Sequence, residues 1–190
     1  MKKIKIGVQG GKGSFSENAG LVFAKKQKIN DFEIIYQISS EKVLFELQKG
    51  ETDFGIFAME NAQGGIVLES VEALSRYNCK IIEMFHMPIS QNLLCLNEIV
   101  LNDISEMYSH RQALRQCRNY LAEKFWSIPL IEQDDTAESA KRLSAGLLPK
   151  TAAVIGNKEC GNLYGLKVIK SDIHDLKNNL TLFLGVSSEC

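Results

Sequence analysis

The chain has no cysteine pair close enough to form a CxxC motif. Its five cysteines, Cys79, Cys95, Cys117, Cys160 and Cys190, are spread out and odd in number. That argues against a disulfide framework and for reduced thiols acting as small core hydrophobes. The three histidines, His86, His110 and His174, show no HExxH or comparable ligand spacing, so a metal site is not expected. A basic excess is also missing. Lys+Arg total 22 against 23 Asp+Glu, a net charge of −1, which lacks the electrostatic footprint of a nucleic-acid partner. No apolar run approaches the roughly 20 residues that span a bilayer. Met1-Lys2-Lys3-Ile4 has the charge of a signal peptide, but Gly7, Gln9, Gly10 and Gly11 stand where its apolar region should be. Repeats and low-complexity tracts are absent as well. A cytoplasmic protein without a membrane partner is expected.

What is present is a composition able to build a core. The 190 residues are 45% apolar, enough for one large domain or two small lobes. Ile4–Val8 alternates as a strand and Gly10-Gly11-Lys12-Gly13 turns the chain. Ser14 or Ser16 then caps a helix through Ala19, Leu21, Val22, Phe23 and Ala24. A strand, a glycine loop and a helix N-terminus together offer free N–H groups to an anion, either phosphate or carboxylate. Strand 32–36 is followed by a helix over 41–48 capped by Ser39 or Ser40. Strand 53–59 is apolar enough to be buried on both faces, and it delivers Glu60-Asn61-Ala62-Gln63-Gly64-Gly65 at its end. A helix over 67–76 comes next.

Further strands are expected at 81–87, 92–96, 104–108, 126–131, 151–155, 166–169 and 180–186. Helices are expected after Ser109-His110-Arg111-Gln112, after Asp134-Asp135-Thr136, and before Gly161. Polar loops thus open helices at 10–16, 60–66, 109–112 and 134–136. The pattern predicts an α/β protein of two lobes with a cleft between them, residues 1–79 plus 171–190 and residues 80–170. Both lobes would present helix N-termini to an anionic ligand. One more stretch stands out. Asn178-Asn179-Leu180-Thr181-Leu182-Phe183 places a lone hydroxyl in an apolar strand behind two asparagines. By itself Thr181 reads more readily as a β-former than as a functional group.

Taken in order, the loops resemble those of a known family. Gly10-Gly11-Lys12-Gly13-Ser14-Phe15-Ser16 is similar to GPxGTFS, and Glu60-Asn61-Ala62-Gln63-Gly64-Gly65-Ile66 to ENSxxGxV. Ser109-His110-Arg111-Gln112-Ala113-Leu114-Arg115-Gln116-Cys117 is similar to SHPQALxQC, and Asp135-Thr136-Ala137-Glu138-Ser139-Ala140 to STAEAA. Tyr164-Gly165-Leu166 resembles YGL, and Asn178–Phe183 resembles NxTRF. The family is prephenate dehydratase, and the resemblance covers nearly the whole chain. The departures are Gly11 for Pro, Ser14 for Thr, Ala62 for Ser, Arg111 for Pro and Leu182 for Arg. Family members commonly carry a C-terminal ACT regulatory domain. This chain ends four residues after Val186, which implies a catalytic unit standing alone or separated from that domain.

The resemblance implies a fold like that of type II periplasmic binding proteins. It also implies decarboxylating dehydration of prephenate to phenylpyruvate in phenylalanine biosynthesis, a carbon–oxygen lyase reaction. Thr181 would protonate or position the leaving hydroxyl, backed by Glu60 and Asn61. Ser14, Phe15, Ser16, Ser109, Gln112, Gln116, Thr136 and Phe183 would bind substrate. The side-chain carboxylate would rest on the helix starts at Ser14 and Thr136. No metal or organic cofactor is implied, and a homodimer or higher homo-oligomer is expected. Two alternatives share the fold: an arogenate dehydratase, and a non-catalytic module that binds a carboxylate ligand.

Overall fold

The computed structural model describes residues 3–188, so Met1, Lys2, Glu189 and Cys190 lie outside the described residues. In chain order the first elements are β1 (Ile4–Gln9), α1 (Phe15–Lys26), β2 (Phe32–Gln37), α2 (Ser40–Gln48), β3 (Phe54–Asn61), β4 (Gly65–Ile66), α3 (Leu68–Arg76) and β5 (Lys80–Pro88). Then come β6 (Asn92–Cys95), β7 (Glu106–His110), α4 (Arg111–Gln116), α5 (Arg118–Lys124), β8 (Leu130–Gln133), α6 (Thr136–Ser144), β9 (Ala152–Gly156), α7 (Lys158–Tyr164), β10 (Lys167–Lys170) and β11 (Leu180–Ser187). The chain divides into two α/β units. One takes the chain up to Pro88 and again from Leu180; the other runs from Ile89 to Asn179.

The first unit is built on a sheet ordered β2-β1-β3-β11-β5, with β4 attached to β3. β1 runs parallel to β2 and β3, as βα connections require. The last strand, β11, inserts antiparallel between β3 and β5. Helix and sheet approach closely where the chain has no side chain. A Cβ on Gly55 would stand 2.7 Å from Val43 Cγ1, and one on Gly185 would collide with the Phe23 ring. Val43, Leu44, Leu47, Phe57, Ala73, Leu184 and Val186 close one face of this core.

The boundary between units differs from the expected 79/80 and 170/171. Residues 80–88 pair with β11 along its length, from Leu180 opposite Pro88 to Ser187 opposite Lys80. They therefore belong to the first sheet. Residues 171–179 fall in the second unit, where the Ile89 N–H donates to the Asn179 carbonyl at 2.8 Å. Pro88 ends β5 because it closes the pairing with Leu180, not because a new unit starts before it.

The second unit has a mixed sheet ordered β10-β6-β9-β7-β8. Its central strand β9 is buried throughout and serves two cores. Ala153 and Ile155 face Leu93, Met107, Cys117 and Leu121, while Ala152 and Val154 face Leu94, Ala140, Leu143 and Cys160. Period-2 alternation along a strand covered on both faces produces this division. Cys95, Cys117 and Cys160 are buried, and burial pushes the Cys117 thiol up to about 12. The strand expected at 126–131 begins only at Leu130. Pro129, which has no N–H, ends the turn before it and its carbonyl accepts from the Met107 N–H at 2.9 Å. Trp126 is left exposed. Among the described residues, no helix is long and apolar enough to cross a membrane.

Candidate active site

Thr181 sits near the start of β11, buried to 6% exposure and directly opposite Asn61 at the end of β3. The Asn61 amide nitrogen donates to Thr181 Oγ1 at 2.8 Å and approaches the Leu180 carbonyl at 3.4 Å. Its orientation is fixed from the other end. Asn61 Oδ1 accepts the backbone N–H groups of Gln63 and Gly64, at 3.1 and 2.8 Å, so the NH2 must face the threonine. This is an Asx turn, the local geometry that asparagine favours after a strand. A hydroxyl has one donor and two acceptor positions. Asn61 fills an acceptor position and leaves the Thr181 proton available. A donor to the oxygen also favours partial negative charge there, which strengthens the O–H as a donor.

Glu60 does not share this geometry. It stands opposite Leu182, one residue along both strands, and Leu182 in turn stands opposite His86. Alternation sends Glu60, Leu182 and His86 to one face of the sheet and Asn61 and Thr181 to the other. Glu60 is therefore not part of the Thr181 network. Leu182, where the family pattern has arginine, likewise faces away from Thr181. Phe183 is 1% exposed and its ring stacks on Phe85 with centroids 6.1 Å apart, which places it in the core.

The glycine loop meets its own carboxylate. Ser14 is the N-cap of α1, accepting from the Glu17 N–H at 3.2 Å, while Glu17 Oε2 accepts the Gly13 N–H at 2.6 Å. Tyr36 also donates its hydroxyl to Glu17. Phe15 and Ser16 form the first turn of α1 beside this cluster, both half-buried. Sequence reading missed Glu17. Its position three residues after Ser14 was the available signal, as in a capping box.

In the second unit, Ser109 is fully buried at the end of β7 and donates to the Ile155 carbonyl at 2.8 Å, with Thr136 Oγ1 at 3.4 Å. Thr136 opens α6, but the cap is Asp135, whose Oδ1 accepts the Glu138 N–H at 2.8 Å. The Gln112 N–H donates to His110 Nδ1 at 3.2 Å, which makes His110 the N-cap of α4. Gln116 is 2% exposed, and its Oε1 accepts from Gln91 at 2.9 Å, a structural role inside the unit. So the structure brings Thr181 to Asn61 and Ser109 to Thr136, and sets Glu60, Gln116 and Phe183 apart from those pairs.

The family model described as prephenate dehydratase matches residues 6–190. The chain belongs to the prephenate dehydratase family. The prephenate dehydratase of Methanocaldococcus jannaschii is 32% identical over 174 residues, covering 91% of this chain and 61% of its own. An arogenate dehydratase/prephenate dehydratase from Arabidopsis thaliana is 29% identical, covering 98% of this chain and 47% of its own. Among solved structures, the Arthrobacter aurescens prephenate dehydratase in complex with L-Phe superposes with a TM-score of 0.86 at 25% identity, over 98% of this chain and 61% of that one. The chain thus spans less than two thirds of the length of these prephenate dehydratase relatives. Thr181 and Asn61 are the positions at which it matches the threonine of the family's NxTRF pattern and the asparagine of ENS.

Proposed function

We propose that the chain catalyses the decarboxylating dehydration of prephenate to phenylpyruvate, a carbon–oxygen lyase reaction, with Thr181 as proton donor. The observation that carries this reading is the Thr181–Asn61 hydrogen bond in a chain of this family. The ring carboxylate leaves as CO2 and its bonding electrons enter the ring. The C–O bond opposite breaks, and the hydroxyl takes the Thr181 proton and departs as water. Solvent then reprotonates Thr181, so the reaction consumes one proton overall. The driving force is aromatisation of the substrate, and the protein's task is to hold the ring and deliver the proton. A positioned general acid contributes about 10²–10⁴-fold. A strong cation on the ring carboxylate would stabilise charge that must leave. Leucine at position 182, on the face away from Thr181, is compatible with that requirement.

Ser14, Phe15, Ser16, Ser109, Gln112 and Thr136 are proposed as substrate-contacting residues on the family resemblance. Glu17 already occupies the Gly13 N–H, so a substrate carboxylate at that loop has to displace it. A cytoplasmic setting and a homodimer are proposed on the family resemblance. Arogenate is the second reading, favoured by the Arabidopsis relative, an arogenate dehydratase/prephenate dehydratase. Both substrates present the same ring hydroxyl and ring carboxylate to Thr181. Purified protein is to be given each substrate separately and the products followed by chromatography. Phenylpyruvate from prephenate supports the first reading, and phenylalanine from arogenate alone supports the second. Binding without turnover of either would leave a carboxylate-binding module.

A further inference from the structure

The second unit has a recess of about 550 Å³ that the chemistry above does not use, lined by α4, α5, the turn after α5 and β8. That volume lies within the range of small-molecule pockets. Its apolar wall includes Phe125, Trp126, Ile128 and Leu130. Trp126 is 83% exposed and Leu130 45%, an unusual position for a tryptophan with nothing to cover it. Its charged rim is Arg111, Arg115 and Arg118, against the single carboxylate Glu132. Glu132 lies 3.9 Å from Arg111 Nε. Among the described residues, Arg115 and Arg118 have no ionic partner. An apolar wall and two guanidinium groups without an ionic partner among the described residues therefore bound the same recess.

These two features select an occupant. Guanidinium groups recognise a two-oxygen anion by paired N–H donors, and an indole face takes a planar ring. A second copy of this chain fits poorly. A two-fold axis through the recess would set each arginine cluster against its own image. An inorganic anion would satisfy the rim and leave the wall bare. We propose that this recess binds a small aryl carboxylate, its carboxylate held by Arg115 and Arg118 and its ring against Trp126. The proposal stands whether or not the chain turns over prephenate.

Trp126 is the chain's one tryptophan, so its emission reports on this recess directly. The intact protein is to be titrated with 3-phenylpropanoate, with the neutral 3-phenylpropanamide, and with inorganic phosphate. The expected result is a saturable emission change with the carboxylate, at least tenfold weaker with the amide and with phosphate. Arg115→Gln and Arg118→Gln are surface changes, and each is expected to weaken the carboxylate response at least tenfold with circular dichroism unchanged. Trp126→Ala, followed by calorimetry, is expected to lose the same binding. No saturable change, or a change that survives both arginine substitutions, overturns the proposal. Equal responses to phosphate and 3-phenylpropanoate also overturn it, since the wall then contributes nothing. So does emission that depends on protein concentration alone, which would mark an interface between copies.

Discussion

Asn61 uses both ends of its amide, the oxygen on two turn N–H groups and the nitrogen on Thr181 Oγ1. Asn61→Ala removes the donor to Thr181 and is expected to lower kcat about a hundredfold with a smaller change in KM. Asn61→Asp is the sharper test. A carboxylate keeps the turn but reverses the second bond, accepting the Thr181 proton instead of donating to its oxygen. Its kcat is expected to fall at least as far as that of the alanine variant. If Asn61→Asp retained wild-type kcat, the donor role of Asn61 would be wrong. Leu182 allows a complementary experiment. Because it faces away from Thr181, Leu182→Arg is expected to leave kcat/KM on prephenate within about threefold. A large gain would place that position in the chemistry.

At the scale of elements, β11 is the strand that assembles the candidate site, because its register against β3 sets Thr181 opposite Asn61. The bond joins residues 120 apart, which no local pattern reveals. That is why the sequence pointed to Thr181 and Asn61 separately, and also to Glu60. A one-residue step along a strand moves a side chain to the other face, and only the observed register distinguishes the two neighbours. Local signals were clearer. Apolar alternation found most strands, and the caps Ser14 and Ser39 were both among those expected. Trp126–Ile131 misled because residues 126–129 form a turn and only Leu130 and Ile131 belong to β8. β11 also depends on a glycine: Gly185→Ala would drive a methyl group into Phe23, which is fully buried. It is expected to lower stability by about 1–3 kcal/mol in urea unfolding. Phe23→Leu in the same chain should recover part of that loss. An additive double variant would show that the clash is not the cause.

For the whole molecule, the two-unit division was legible from the loops, while its boundaries were not. The chain leaves the first unit at Pro88 and returns at Leu180, residues that neighbour each other only through strand pairing. A non-local bond again decided what composition could not. The segment that returns the chain carries a pH-sensitive contact. Asp172 accepts the Ser90 hydroxyl at 2.6 Å, and this bond, helped by Lys158, His174 and Lys177, holds its carboxyl below the usual range. A folded pKa below the unfolded one contributes stability above about pH 4, which is lost as pH falls through the folded value. Asp172 adopts φ 55°, a conformation asparagine tolerates, so Asp172→Asn should fold normally. The expected outcome is a shallower loss of thermal stability than in the wild type as the pH falls below about 4. Identical acid profiles would remove Asp172 from the account.

The central claim is that the Thr181 hydroxyl donates the proton that lets the ring hydroxyl leave. The most direct measurement is steady-state turnover of prephenate by the wild type, Thr181→Ala and Thr181→Ser. A donor role predicts that the alanine variant loses at least about a hundredfold in kcat while still binding substrate, and that serine, which keeps the hydroxyl, recovers much of it. An alanine variant that turns prephenate over at the wild-type rate would contradict the account.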